Sequence, residues 1–281
     1  IGHYGNSSTA ADLADWAGVS VGSVELCTKW TMIAILSLHD EMISPPTDEE
    51  KAEAKRWVKK QVCEAWENGY LSVDGTTFNL FQKPGHHGET FFDRKSNYSL
   101  SAQITTLPHN LKIVDYGLGH TGSVHDLSAF CDTAIYQTPE KFFTAGEWLW
   151  GDSAYPVSPT CVLPFKRVPN QALTRQQRHF NYHLSRVQIR SKHAIGLLKI
   201  RFQSLKELCI QINCSQQIDY AISWIRCCFI LHNFIIRIEG QDHNSRNNIN
   251  RDWQLELDEL LADGIEDVGD DNGKDMPVNL P

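Results

Sequence analysis

No two of the eight cysteines in this 281-residue chain form a C-x-x-C pair; they lie at positions 27, 63, 131, 161, 209, 214, 227 and 228. That spacing argues against a zinc site and against a disulfide framework. It predicts reduced, mostly buried thiols in an intracellular protein. No run of 18 apolar residues occurs, so no membrane span is expected; the longest apolar stretch, 227–236, is interrupted by His232 and Asn233. No charged segment followed by an apolar one opens the chain, so no signal peptide is predicted, although the first residue is Ile. A glycine-rich phosphate loop is missing, which leaves ATP use unsupported. His86-His87 and the pair His179 and His183 lack the Cys or Glu companions of a zinc site. No internal repeat is present.

What is there begins with charge. The net charge of −8 belongs to one end: residues 240–281 hold eleven acidic and three basic side chains, and the preceding 239 residues hold 23 of each sign. Inside that neutral body the charge is polarised. From Lys166 to Lys206 there are ten Lys or Arg and no Asp or Glu. A block like this is either a solvated face or a phosphate-binding surface, and Arg186, Arg190, Lys199 and Arg201 are its candidate nucleic-acid contacts. They are expected to share one exposed face.

The 41% hydrophobic content is enough for one α/β core and a small extra module. Residues 5–38 read as helix-turn-helix-like. Ser7 or Ser8 caps a helix over 10–17, Gly18-Val19-Ser20 makes the turn, and a second helix follows from Val21 to Ile35. Leu13, Ala17, Val19, Val24 and Leu26 are expected to lock the two helices together. An ordinary helical hairpin has the same pattern, and the second helix offers few base-reading side chains. Thr47 caps a charged helix over 48–67, with Glu50 completing a capping box.

Strands are predicted over 70–74, 96–106, 111–118 and 147–152, where side chains alternate or run apolar. A helix begins near His125-Asp126. An inserted helix around 174–181, a long helix over 185–200 and a last, nearly all-apolar helix over 216–238 follow. Three strands, a helix, a strand and then helices is the order of a ribonuclease H-like α/β fold, a mixed sheet flanked by helices. The chain therefore divides into an N-terminal helical module (1–66), a ribonuclease H-like domain (67–239) and an acidic tail (240–281). The tail is expected to be disordered apart from an amphipathic piece at 253–261.

Two carboxylates stand out. Asp74 and Asp152 each close an apolar, strand-like run and each has a glycine beside it. Carboxylates at strand ends face the crevice where open α/β sheets bind ligands, and two on neighbouring strands can hold a pair of divalent metals for phosphoryl transfer. Thr76 and Ser153 are placed to orient them. Asp126, opening the helix after the third strand, is a possible further metal ligand, or alternatively a helix cap or a partner of a nearby basic residue. Asp93 and Asp115 read as structural.

The sequence resembles the Harbinger-type transposases and the nucleases derived from them, in particular the fungal members of the DDE endonuclease superfamily. The resemblance runs from about Gly5 to Glu239. It rests on Gly18-Val19-Ser20, Val73-Asp74-Gly75-Thr76, the 92–100 segment Phe-Asp-Arg-Lys-Ser-Asn-Tyr-Ser-Leu, Gly122-Ser123 with His125-Asp126, the 150–156 segment Trp-Gly-Asp-Ser-Ala-Tyr-Pro, Asn181-Tyr182, and Ile195-Gly196 with Lys199, Arg201 and Phe202. The resemblance implies a catalytic Asp-Asp-Glu triad, with Asp74 and Asp152 as the first two members and two Mg²⁺ or Mn²⁺ ions as cofactors. It also implies DNA as substrate, a separate Myb-like DNA-binding partner and action in the nucleus. The third acid belongs at Lys192, within Arg190-Ser191-Lys192-His193-Ala194-Ile195-Gly196, so a cation stands at that catalytic position. Two readings follow. One is a metal-dependent DNA endonuclease impaired at one ligand; the other is an inactive, domesticated descendant that binds DNA or a protein.

Overall fold

The computed structural model describes residues 9–167 and 171–241. The N-terminal helices are α1 (Ala10–Ala17) and α2 (Val21–Leu36), followed by α3 (His39–Met42) and α4 (Asp48–Gln61). Thr9, not Ser7 or Ser8, caps α1, through a capping box with Asp12; the two serines lie outside the described residues. Gly18 ends α1 in the left-handed region at φ 66°, where a side chain is strained, and the chain bends by 104° into α2. Ala14 is the buried residue at this corner. Ala17, Val19 and Leu26 are exposed, so they do not lock the pair as expected. Instead α2 packs against the last helix, α8 (Ser215–Gln241), where the Cys227 thiol reaches the Met32 carbonyl. The Thr47–Glu50 capping box is present, and α4 stops at Gln61.

The sheet is built from β1 (Gly69–Leu80), β2 (Ser99–Thr106), β3 (Ile113–Thr121), β4 (Trp148–Trp150), β5 (Cys161–Val162) and β6 (Glu207–Leu208). Its order is β3-β2-β1-β4-β5, with β6 on the far end of β1. The first three strands are antiparallel neighbours, and β4 and β5 run parallel to β1. This curled mixed sheet flanked by helices fits the ribonuclease H-like fold. All eight residues of β2 are buried, because it is paired on both edges and covered on both faces. Leu111 sits at φ 65° in the β2–β3 turn, so β3 starts at Ile113 and not at 111.

Two short helices follow β3, α5 (Asp126–Cys131) and α6 (Ala134–Gln137). The two helices expected over 174–200 are one, α7 (Arg175–Arg201), begun by a Thr174–Gln177 capping box. Its buried residues Leu184, Val187, Ser191, Ala194 and Leu198 recur every three or four positions and form the stripe that faces the sheet. One core cluster joins Phe78, Leu100 and Ile104 to Ile225 and Phe229 of α8. A second lies under Tyr70, Leu71 and Val73, with Phe130, Leu149 and Ala54 of α4.

By length and composition α8 is apolar enough to cross a membrane, yet Ile225, Phe229 and Ile230 are its buried core residues. The two polar residues that interrupt it have work to do. Asn233 bonds both the N–H and the C=O of Ile113, and His232 meets the Leu111 carbonyl, so together they pin the start of β3. Burial, with Arg201 alongside, pushes the His232 imidazole down to about 3. Of the eight free cysteines, Cys161, Cys227 and Cys228 are buried while Cys27, Cys209 and Cys214 are exposed, so burial is less general than expected.

Candidate active site

Asp74 lies inside β1 rather than at its end. β1 continues to Leu80 because β2 pairs with it from Ser72 to Asn79, and β6 pairs with it at Asn79 and Leu80. Asp152 stands two residues beyond β4. In the parallel β1–β4 ladder Ser72 is opposite Trp150, so two further residues along each chain bring Asp74 level with Asp152. Both line one cleft of about 360 Å³, and Asp126 lines it too. Backbone amides orient the two carboxylates: Gly75 N–H donates to Asp74 (2.9 Å) and Ala154 N–H to Asp152 (2.6 Å). The hydroxyls of Thr76 and Ser153 do not fill that role.

Helix α7 lies alongside β1. The buried hydroxyls of Ser191 and Ser72 share a hydrogen bond, and the Lys199 ammonium donates to the Thr77 carbonyl at 2.8 Å. Lys192 follows Ser191, and its charge reaches Asp74. The Asp74 carboxyl is pushed up to about 7, chiefly by burial; the Lys192 ammonium and the Gly75 N–H oppose that rise, and the Asp152 and Asp126 carboxylates add to it.

Asp126 is held separately. Gln103 of β2, with no exposed surface, donates from Nε2 to its carboxylate at 2.9 Å, and the Tyr155 hydroxyl donates to the Gln103 carbonyl oxygen. Gly75 makes room for this chain. It lies opposite Gln103, and a Cβ there would fall 2.9 Å from Asp126 Oδ1 and 3.1 Å from Gln103 Nε2. Asp126 borders the same cleft as Asp74 and adds to the rise of its carboxyl. Among the described residues, no three of His, Cys, Asp and Glu are gathered to hold a metal ion. The three aspartates thus share a cleft without forming a complete metal set, and Lys192, exposed on α7, is not among the residues that line it.

A family model described as DDE superfamily endonuclease matches residues 73–233, more than half of the chain and a span from Asp74 past Lys192. The chain belongs to the DDE superfamily endonucleases. Neither curated proteins nor solved structures give a match. Membership suggests a transposase-derived nuclease, in a family that acts on DNA and generally uses divalent metals.

The four basic candidates in this endonuclease do not share one exposed face. Arg186 is exposed. Arg190 donates to the Pro108 carbonyl (2.7 Å) and lies over the Trp57 ring. The Arg201 side chain, 7% exposed, pairs with Glu239 at 2.6 Å. Of the four, Lys199 borders the cleft. Two of these charges are thus consumed inside the fold, where a buried guanidinium needs partners. Asp93 and Asp115 serve the structure: Asp93 accepts from the amides of Lys95 and Asn97 and from the Ser99 hydroxyl, and Asp115 from the Ile135 amide.

Sequence reasoning passes over the buried Gln103 and three cleft residues, Tyr155, Arg94 and Lys95. A glutamine on a strand otherwise made of small and apolar residues is the available signal for the first. Tyr155, Arg94 and Lys95 sit inside the family's motifs, but nothing local shows what they face.

Proposed function

We propose that this chain is a Harbinger-type, fungal-like DNA endonuclease whose cleavage is impaired by Lys192. Asp74 and Asp152 are its catalytic pair, and in the cleavage-competent state they hold Mg²⁺ or Mn²⁺, with Asp126 as an auxiliary acid. The observation that carries this reading is the cleft that Asp74 and Asp152 share, with Lys192 on the neighbouring helix at the position where the resemblance expects the third acid. An ammonium beside a site for dications adds repulsion where the family has attraction. The helix-turn-helix-like N-terminal module, a Myb-like partner that brings the target sequence and action in the nucleus belong to the same proposal.

Plasmid nicking with Mn²⁺ tests it. Lys192→Glu should cleave at least about tenfold faster than the natural chain, one factor of ten corresponding to about 1.4 kcal/mol of barrier. Asp74→Asn in the same background should be inactive. If the natural chain already matches the Glu variant, and Asp126→Asn abolishes that activity, Asp126 is the working third acid and Lys192 is no lesion.

A second reading is favoured by the incomplete metal set: an inactive descendant that retains DNA or protein binding. It predicts that Lys192→Glu gains neither metal affinity nor cleavage.

A further inference from the structure

Two cations outside the long basic helix border the same cleft as the carboxylates. Arg94 and Lys95 sit in a turn between the first two strands, and Asp93 fixes that turn. Its Oδ1 accepts the amides of Lys95 and Asn97, both at 2.9 Å, and its Oδ2 accepts the Ser99 hydroxyl at 2.8 Å. Ser96 completes the turn at φ 63°. Arg94 and Lys95 are exposed and line the cleft, and Lys199 of α7 lines it too.

Among the described residues, none of the bonds that hold these cations uses a carboxylate. The Arg94 guanidinium meets His125 Nδ1 at 2.8 Å, and the Lys199 ammonium meets the Thr77 carbonyl and lies over the Phe78 ring. An ammonium has three donors, and this contact uses one of them. Burial, and after it the nearby Lys95, push Lys199 down to about 8, so the cations are close enough to repel. Thr77 lies three residues past Asp74, roughly 10 Å along the strand. The cleft is therefore lined by the carboxylates of Asp74, Asp126 and Asp152 and by the cations of Arg94, Lys95 and Lys199. Like charges gathered at a concave surface, without carboxylates in their bonds, suit an anion with several acceptor oxygens.

We propose that Arg94, Lys95 and Lys199 form a phosphate-binding wall that seats successive backbone phosphates of the DNA strand lying across Asp74 and Asp152. This rests on the DNA reading above and adds the place where the strand is gripped. It moves the grip from the exposed helix face to a turn and a half-buried lysine.

The test is fluorescence anisotropy of the full chain with a short labelled duplex in EDTA, over a range of salt. The Arg94→Gln/Lys95→Gln double variant should bind at least about tenfold more weakly, with a salt slope shallower by about two. Lys199→Met should flatten the slope by about one. The control is Lys60→Gln/Lys141→Gln, which removes two exposed charges elsewhere and should leave affinity and slope near those of the natural chain. A double variant that binds like the natural chain, or a control that loses as much, overturns the wall while DNA binding itself stands. A natural chain with no salt-dependent DNA binding overturns the DNA reading as well. Arg94 and Lys95 are exposed, so their replacement is not expected to unfold the protein, and a thermal melt of each variant checks this.

Discussion

Ser72 on β1 and Ser191 on α7 share a buried hydroxyl–hydroxyl hydrogen bond, which fixes how α7 lies along the strand that carries Asp74. Both serines lie within the packed seam between sheet and helix, where a hydroxyl needs a partner. Lys192 comes next on the helix and Asp74 two residues on along the strand. Lys192 is exposed on the helix, and its positive charge opposes the rise of the Asp74 carboxyl.

Lys192→Glu should change stability in a metal-dependent direction. Without metal, a third carboxylate beside Asp74 and Asp152 adds repulsion, and the melting temperature should fall. With Mn²⁺ at about a hundred times its dissociation constant, binding linkage of about 2.7 kcal/mol should raise it by on the order of 5 °C. Calorimetry with and without Mn²⁺ reads both; the same shift in each condition would sink the ligand assignment.

Asp74 should make stability fall as pH rises. Its carboxyl titrates near 7 in the folded protein and near 4 when unfolded, so between those values the native state holds more protons and loses that advantage as pH climbs. In EDTA, Asp74→Asn should abolish this component and be the more stable protein at pH 8, by on the order of 2 kcal/mol. Urea midpoints at pH 5 and pH 8 compare the two. Parallel pH dependences would mean that Asp74 is not dehydrated.

Gly75→Ala should destabilise by about 1–3 kcal/mol, because its Cβ meets Asp126 and Gln103 and breaks the Tyr155–Gln103–Asp126 chain. Gly22→Ala, at an open position of α2, should instead stabilise by roughly 0.5–1 kcal/mol. Denaturant midpoints decide between steric conflict and ordinary loss of glycine flexibility, since the latter gives both variants the same sign.

Arg201→Ala should cost about 2–3 kcal/mol by leaving Glu239 unpaired, yet leave the DNA affinity of the folded protein unchanged. A loss of affinity with unchanged melting would instead return Arg201 to the DNA-contacting surface.

Local chemistry makes part of this protein legible in its sequence. The Thr47–Glu50 box, the apolar periodicity of the last helix and the order of strands are written in neighbouring residues, and such signals depend on contacts within a few positions. Asp74 and Asp152 are legible for the same reason, each beside a glycine in an apolar run. Long-range pairing decides the rest. β1 runs past Asp74 because β2 and β6 supply partners for its backbone, and α7 is one helix because its stripe from Leu184 to Leu198 finds the sheet. Arg190 and Arg201 look like DNA contacts in a basic segment. Only the fold, by bringing Pro108, Trp57 and Glu239 to them, turns them inward. The tie of Asp126 to Gln103 and the gathering of Arg94 and Lys95 with Lys199 have the same origin: residues far apart in sequence share one cleft only after the sheet has closed around Gly75 and Thr77.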